Sequence, residues 1–198
     1  PSLSGAGVCW KFCKYLDEHF DTDYADEFVD LCTAGLIGDM MDLSVMENRY
    51  IVNQGLNNLR NPAMKKIVGS FPFNSQAVSF SIAPLVNASV RMNVAESAVK
   101  AFLADDNKDV LKYVKIMKDS KTKQGEIVDD YVYEQCDKQL DNKVLVSFVE
   151  SDGEIRGLIG NKILEKYGKP LFVLGKYDGK VSGSARATGI KDFRKMCE

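Results

Sequence analysis

The sequence lacks the motifs that identify several common enzyme classes. Its 198 residues contain neither a Walker phosphate-binding loop nor the Gly-x-Ser-x-Gly turn of a serine nucleophile. The single histidine, His19, lies in a predicted helix among acidic residues, so a catalytic histidine is not indicated. No apolar run approaches the roughly 20 residues that span a bilayer, and we expect no membrane association. With 45% hydrophobic and 27% charged residues, the composition is that of an ordinary globular chain.

Cysteine usage gives no sign of a disulfide framework or a zinc site. The five cysteines are an odd number and form no Cys-x-x-Cys pair. Cys9 and Cys13 are four residues apart on a predicted helix, and we expect both to be small buried side chains. A structural role for the cysteines predicts a reducing, cytoplasmic location.

Charge is distributed unevenly around a formal net value of −2. Residues 141–198 carry eleven basic and eight acidic side chains, whereas residues 1–140 carry fifteen basic and twenty acidic ones. A mildly basic C-terminal part is compatible with a polyanionic ligand but does not require one. The start of the chain, Pro1 to Val8, has no signal-peptide pattern and is typical of an internal segment of a longer protein.

Hydrophobic periodicity predicts helices through the first two thirds of the chain. We expect helices over 5–20, with Ser4 as N-cap, and over 48–59 and 95–103. The small residues after Ser4 favour close helix packing, with approach to a phosphate as the alternative. From Lys108 to about Leu140 the pattern is long, charged and mostly helical, with a break expected near 120–125.

The last third changes to a strand, helix, strand order. Strands are predicted over 143–149 and 171–174, and a helix opens at Gly157 and ends at Gly168. A turn at 177–180 then leads to the segment Val181–Arg186. Short connections of this kind indicate a compact α/β unit, so the fold class predicted for the chain is α/β.

Asp39 is the first candidate for chemistry. A short helix over 25–37 is expected to run into the buried apolar segment Leu31–Ile37, after which Gly38 and Asp39 follow. A carboxylate that follows a buried segment resembles a metal ligand at the carboxyl end of a strand in α/β folds. Asp42, three residues later, helps to hold an ion only if other ligands contribute. An ordinary structural role for Asp39 is the alternative.

Two further segments carry polar residues suited to phosphate. Asn87 and Arg91 follow the stiff Ile82-Ala-Pro84 approach and suit a phosphate or a carboxylate; a capping Asn and a surface Arg are the alternative. In Ser182-Gly-Ser-Ala-Arg186, Gly183 allows close backbone approach, Ser184 offers a hydroxyl and Arg186 a cation. A plain hairpin with an exposed arginine is the alternative there.

Taken in order, these segments resemble the RecJ-type single-stranded-DNA exonucleases of the DHH phosphoesterase superfamily. Leu3–Val8 looks like the helix start after the family's Asp-His-His motif, and Asp30–Asp39 looks like its fourth motif, whose last Asp ligates metal. Ile82–Arg91 resembles the segment that closes the catalytic domain. Gly157-Leu-Ile-Gly160 and Ser182–Arg186 resemble the two marks of the DHH-associated domain.

The sequence also departs from the family's pattern. The Asp-His-His triplet, the earlier Asp-rich motifs and the closing Gly-Gly-His stretch are absent. Ile155 stands where a His is usual, with Arg156 beside it, and Leu85 and Val90 stand where Arg and Gly are common. Such departures are those of a divergent relative that lacks most of the metal ligands.

The resemblance implies a part of a metal-dependent exonuclease that degrades single-stranded DNA from its 5′ end. It implies the back of the catalytic domain over 1–105, a helical connector over 106–141, and an incomplete DHH-associated domain over 142–198. Asp39 would ligate one of two Mn²⁺ or Mg²⁺ ions that activate water, while Asn87, Arg91, Gly183, Ser184 and Arg186 would bind the strand. The fragment alone would be inactive. The rivals are a phosphoesterase for short oligonucleotides or cyclic dinucleotides, and a non-catalytic nucleic-acid-binding module.

Overall fold

A computed structural model describes residues 2–150, 155–177, 179–190 and 192–197. The chain divides into two units, Pro1–Lys121 and Thr122–Glu198. The division falls inside one continuous helix, α8, which runs from Asn107 to Glu134. The break in the helix expected near 120–125 is therefore wrong, because Gly125 lies within α8 and the helix continues through it. None of the helices described is long and apolar enough to cross a membrane.

Every regular element described in the first unit is helical. A 3₁₀ turn over Ala25–Phe28 precedes α2, and a π-helical turn over Val78–Ile82 joins α5 to α6. The α-helices are α1 Gly5–Phe20, α2 Val29–Gly38, α3 Met46–Asn57, α4 Pro62–Val68, α5 Ser75–Ala77, α6 Ala83–Arg91 and α7 Ala95–Leu103. The first turns of α8 complete the unit by packing Val110, Val114 and Met117 into its main core.

Glycines set the close crossings of α1, α2 and α3. A Cβ on Gly35 of α2 would lie 2.5 Å from the Ala6 Cβ of α1. One on Gly55 of α3 would lie 2.1 Å from the Thr33 hydroxyl and 2.7 Å from the Val29 carbonyl oxygen of α2. The small residues at the start of α1 therefore serve helix packing, as the sequence favoured. The Ser4 hydroxyl accepts from the Gly7 N–H, which confirms the predicted N-cap.

The burial of the α1 cysteines differs from the sequence-based expectation. Cys9 and Cys13 are exposed rather than buried, and the buried cysteines are Cys32 and Cys136. The side chain of Cys197 lies outside the described residues. Cys9 and Cys13 line an open pocket beside α2, together with Phe28, Leu31 and Cys32. Burial raises the pKa of the Cys32 thiol to about 12, which leaves it an unreactive core group.

The π-helical turn before α6 follows from Pro84. Proline has no N–H, so the carbonyl of Phe80 loses the donor that a regular α-helix would provide. The chain responds with a wider turn in which the Ala83 N–H donates to the Val78 carbonyl, five residues back. Such turns are frequent at functional sites. This one sets the direction in which α6 carries Asn87 and Arg91.

The second unit contains a three-stranded sheet, in which the two predicted strands are joined by a third that the sequence did not predict. The strands β1 Leu145–Phe148, β2 Leu171–Tyr177 and β3 Lys180–Arg186 lie in that order, with β1 parallel and β3 antiparallel to β2. Helix α9, Arg156–Tyr167, connects β1 to β2 and ends at left-handed Gly168, and α10 covers Phe193–Cys197. The predicted turn at 177–180 includes Asp178, which lies outside the described residues.

Two glutamine side chains pair with the free backbone N–H and carbonyl groups on the open edge of β1. Gln139 donates to the Val146 carbonyl at 2.7 Å and accepts from the Val146 N–H at 3.0 Å. Gln135 does the same for Phe148, at 2.8 and 2.7 Å. Alternate residues of an edge strand expose their backbone groups, and two side chains four apart in sequence match that spacing. The edge is thereby blocked without a fourth strand.

Candidate nucleic-acid interface

Arg186 ends β3 with its side chain laid across the start of α9. A Cβ on Gly157 would lie 3.0 Å from the Arg186 Nη2 atom, and one on Gly160 would lie 3.2 Å from its Cγ. A Cβ at either position would require the Arg186 side chain to shift by a few tenths of an ångström. The two motifs recognised separately in the sequence therefore form one site, and its glycines make room for the arginine.

Three acceptors hold the Arg186 guanidinium. Its Nε donates to Asn161 Oδ1 at 2.7 Å, and its Nη1 donates to Ser184 Oγ at 2.7 Å and to the Ala185 carbonyl at 2.8 Å. Its Nη2 makes no hydrogen bond to any described residue. A fixed guanidinium that keeps one amino group for an external acceptor suits an anion such as a phosphate. Asn161 was missed by sequence reasoning, because only the fold brings it to β3.

A second arginine lies beside the first on the same side of the sheet. Arg156, the first residue of α9, is 3% exposed and donates through Nη1 to Ser182 Oγ at 2.9 Å and to the Ser182 carbonyl at 3.1 Å. Its guanidinium occupies the space above Gly175, where a Cβ would lie 2.4 Å from Nη2. Gly175 pairs directly with Ser182 in the sheet. Neither Arg156 nor Ser182 was predicted as a site residue.

Gly183 has a structural reason to be glycine. A Cβ there would lie 2.2 Å from the Val173 carbonyl oxygen and 2.8 Å from a Leu174 methyl group. Close approach to β2 therefore explains this residue, and its role in substrate binding stays a prediction. Ser184 and Arg186, by contrast, present polar side chains on the face that packs against α9.

Asp39 lies at the end of a helix, so its expected place at the end of a strand is wrong. It is the C-cap of α2, and Met40 follows in the left-handed conformation with φ 52°. The Met40 N–H donates to the Ile37 carbonyl and the Met41 N–H to the Leu36 carbonyl, at 3.1 and 3.0 Å. These two bonds form a Schellman ending, which stops the helix and leaves the Asp39 carboxylate exposed.

Asp39 and Asn87 line the same pocket in the first unit. The pocket has a volume of about 240 Å³ and lies between the end of α2 and α6, where Gly38 and Ala83 approach closely. Asn87 is exposed on α6, and Arg91 stands one helical turn further on, at i+4. Asp39 and Asn87 thus meet at one end of α2, whereas Arg91 does not line the pocket.

The described residues do not complete a metal site at Asp39. Among them, no three His, Cys, Asp or Glu side chains come together in a way that could hold an ion. Asp42 instead accepts from the Ser44 N–H at 2.8 Å, and hydrogen bonding by the Ser44 hydroxyl and N–H lowers the pKa of its carboxyl group. Mg²⁺ and Mn²⁺ take about six oxygen or nitrogen ligands, so a single exposed carboxylate falls well short.

Asp30 is a buried carboxylate with a structural role. It is 1% exposed and accepts from the backbone N–H groups of Leu31, Arg60 and Asn61, each at 2.8 Å. Asn61 in turn caps α4 and donates to the Phe102 carbonyl at 2.9 Å. The first Asp of the family-like segment is therefore a structural clamp between α2 and the start of α4.

Comparison with known proteins places the chain among RecJ-like proteins. No family model matches it. It is 34% identical, over 98% of its length, to YorK of Bacillus subtilis, named as an SPbeta prophage-derived single-strand DNA-specific exonuclease. It is 27% identical, over 99% of its length, to the single-stranded-DNA-specific exonuclease RecJ of the same organism.

Solved structures agree with this assignment. RecJ of Thermus thermophilus in complex with Mg²⁺ matches 92% of the chain with a TM-score of 0.70 and 25% identity. The same protein with Mn²⁺ matches 87% with a TM-score of 0.68 and 26% identity. The chain spans 40% of YorK, 26% of the Bacillus RecJ, and 30% and 27% of the two Thermus chains. The resemblance found in the sequence is confirmed: this chain has the sequence and the fold of part of a RecJ-like protein.

Proposed function

We propose that the chain is part of a metal-dependent exonuclease that degrades single-stranded DNA from its 5′ end. Within it, the segment 142–198 would bind the strand, and the segment 1–105 would supply the back of the catalytic domain, joined by the connector 106–141. The similarity to YorK and RecJ supports this substrate class. A cytoplasmic location remains a prediction.

The anchored guanidinium of Arg186 is the observation that carries the strand-binding part. It is held by Asn161 and Ser184, and its Nη2 has no hydrogen-bonding partner among the described residues. Phosphate contacts of this kind bind without reading sequence, as a nuclease that moves along a strand requires. Gly157 and Gly160 would contribute by leaving room for the Arg186 side chain. Gly183 would contribute by allowing β3 to approach β2 closely.

The metal-binding part rests on Asp39 and on the metals found in the relatives. We propose that Asp39 supplies one ligand to Mg²⁺ or Mn²⁺, and that Asn87 and Arg91 contact phosphates near its pocket. The remaining ligands would come from residues beyond these 198, because the described residues form no cluster around Asp39. The isolated chain is therefore expected to bind DNA without cutting it.

Binding and hydrolysis can be measured on the same preparation. Anisotropy of a labelled single strand, with the blunt duplex of the same sequence as competitor, should show preference for the single strand. Incubation of a 5′-labelled strand with Mn²⁺ should give no products. Hydrolysis that disappears in Asp39→Asn would show that the metal site is complete, and equal affinity for the duplex would refute the proposed substrate.

A dinucleotide competitor separates the proposal from its nearest rival. If the chain belonged to a phosphoesterase for short substrates, a dinucleotide would displace the labelled strand as effectively as an unlabelled long strand does. We expect the long strand to compete much better, because each phosphate contact adds to its affinity.

A further inference from the structure

We propose that Ser182 is a second phosphate-binding hydroxyl on β3, held in its donating state by the buried Arg156. The inference rests on the proposed function, since it names a further contact to the same single strand. Residues 182, 184 and 186 alternate along the strand and so share the face that packs against α9. Two of them are serines, and each accepts a hydrogen bond from an arginine.

The hydrogen bond from Arg156 fixes what the Ser182 hydroxyl can do. A serine hydroxyl carries one hydrogen and two lone pairs. When a guanidinium donates to the oxygen, the hydroxyl hydrogen turns away and remains for another acceptor. The positive charge of the donor also polarises the O–H bond, which favours a charged acceptor. Ser182 is exposed, so a phosphate oxygen from solution can reach it.

The sheet register explains why this arrangement exists. Gly175 lies directly opposite Ser182, and the Arg156 guanidinium fills the space that a side chain at 175 would take. Arg156 is itself buried, so it acts as a positioning residue and not as a contact to the strand. A glycine on β2, an arginine at the start of α9 and a serine on β3 thus form one unit.

The second serine–arginine pair repeats the arrangement two residues further on. Ser184 accepts from Arg186 at 2.7 Å, and it pairs with Val173 as Ser182 pairs with Gly175. Two residues of a strand span about 7 Å. Hydroxyls so far apart cannot bind two oxygens of one phosphate, so they would contact neighbouring phosphates of an extended strand. The face then presents a row of donors along a single-stranded backbone.

A hydroxyl contact can be told from a charge contact by its salt dependence. Binding of a short labelled oligothymidylate to the 198-residue chain would be measured across a series of NaCl concentrations. Ser182→Ala should weaken binding about tenfold, the effect of one hydrogen bond to a charged group. It should leave the slope of affinity against salt unchanged, because a neutral hydroxyl displaces no counterion.

Control variants make each outcome decisive. Ser182→Thr keeps the hydroxyl on a strand that tolerates β-branched residues, and should bind within about twofold of the unaltered chain. Thr188→Ala removes an exposed hydroxyl just beyond β3 and should change nothing. Gly175→Ala, which displaces Arg156, should reproduce the loss seen in Ser182→Ala if its far-ultraviolet circular dichroism is unaltered.

The failure of this inference is distinct from the failure of the proposed function. If the chain binds the oligonucleotide and Arg186→Gln weakens it, while Ser182→Ala binds within twofold of normal, the role of Ser182 is refuted alone. If the unaltered chain does not bind single-stranded DNA, both proposals are refuted together.

Discussion

Replacing Gly55 with alanine should destabilise the first unit through a single helix crossing. The new Cβ would lie 2.1 Å from the Thr33 hydroxyl oxygen and 2.7 Å from the Val29 carbonyl oxygen. One of these neighbours is backbone, so a rotamer change cannot relieve the clash and the two helices must move apart. Overpacking of this kind costs about 1–3 kcal/mol.

A lost hydrogen bond should destabilise Gly55→Ala further, and the higher helix propensity of alanine should offset part of the loss. The Thr33 hydroxyl donates to the Ile51 carbonyl at 3.0 Å in a fully buried position, and its displacement costs about 1–2 kcal/mol. Alanine in place of glycine within a helix returns about 1 kcal/mol. The net expectation for Gly55→Ala is a loss of about 2.5 kcal/mol in the free energy of unfolding.

Urea unfolding followed by tryptophan fluorescence measures this directly. Trp10 is the single tryptophan of the sequence, and its indole N–H donates to the Ala25 carbonyl at 2.9 Å within the same unit. For an m-value of about 2 kcal/mol per molar urea, the midpoint should fall by about 1.2 M. Gly5→Ala is the matched control, because nothing lies within 4 Å of its Cβ. A midpoint for Gly55→Ala within about 0.3 M of the control, equivalent to about 0.6 kcal/mol, would refute the packing argument.

Three further predictions concern stability. Hydrogen bonding by the Thr22 hydroxyl and the Ala25 N–H lowers the pKa of Asp17, so the stability that this carboxylate contributes is present above its unfolded pKa of about 4 and is lost as pH falls through its folded pKa. Asp17→Asn should therefore make stability less dependent on pH in the acid range of a fluorescence titration, and an unchanged acid dependence would contradict this. Met40→Gly should raise the free energy of unfolding, measured in urea, by about 1 kcal/mol, because the left-handed backbone at φ 52° strains a residue that carries a side chain. An unchanged free energy of unfolding would show that this strain is absent. Asp30→Ala should lower the free energy of unfolding by about 3 kcal/mol in the same assay, because the N–H groups of Arg60 and Asn61 lose a buried acceptor. A loss below about 1 kcal/mol would contradict the role of Asp30 as a clamp between α2 and α4.

The sequence predicted elements whose signals are local. The start of α1 follows from the Ser4 cap, α7 from its periodicity, and the end of α9 from Gly168 at positive φ. The segment that became α2 was expected to hold Asp39 as a strand end would, because a short, evenly apolar run does not distinguish a buried strand from a buried helix. The segment is a helix, and its Gly35 allows the close crossing with α1.

The candidate site was predicted only where a motif carries it. Arg186 and Ser184 were identified from their own segment, and the structure adds Asn161 as the acceptor that fixes the arginine. Arg156 and Ser182 were given no role of their own, because their contact depends on sheet register, which sets Ser182 opposite Gly175. No spacing along the chain reveals such a pairing, and the burial of an arginine is visible only in the folded unit.

A paired salt series measures whether Arg186 holds single-stranded DNA. Arg186→Gln removes the anchored cation, whereas Lys176→Gln removes an exposed cation of β2 on the opposite face of the sheet. Arg186→Gln should weaken binding of single-stranded DNA about tenfold and reduce the slope of log affinity against log salt by about 0.7, with little change for Lys176→Gln. Equal effects of the two substitutions, or an unchanged slope for Arg186→Gln, would contradict this role of Arg186.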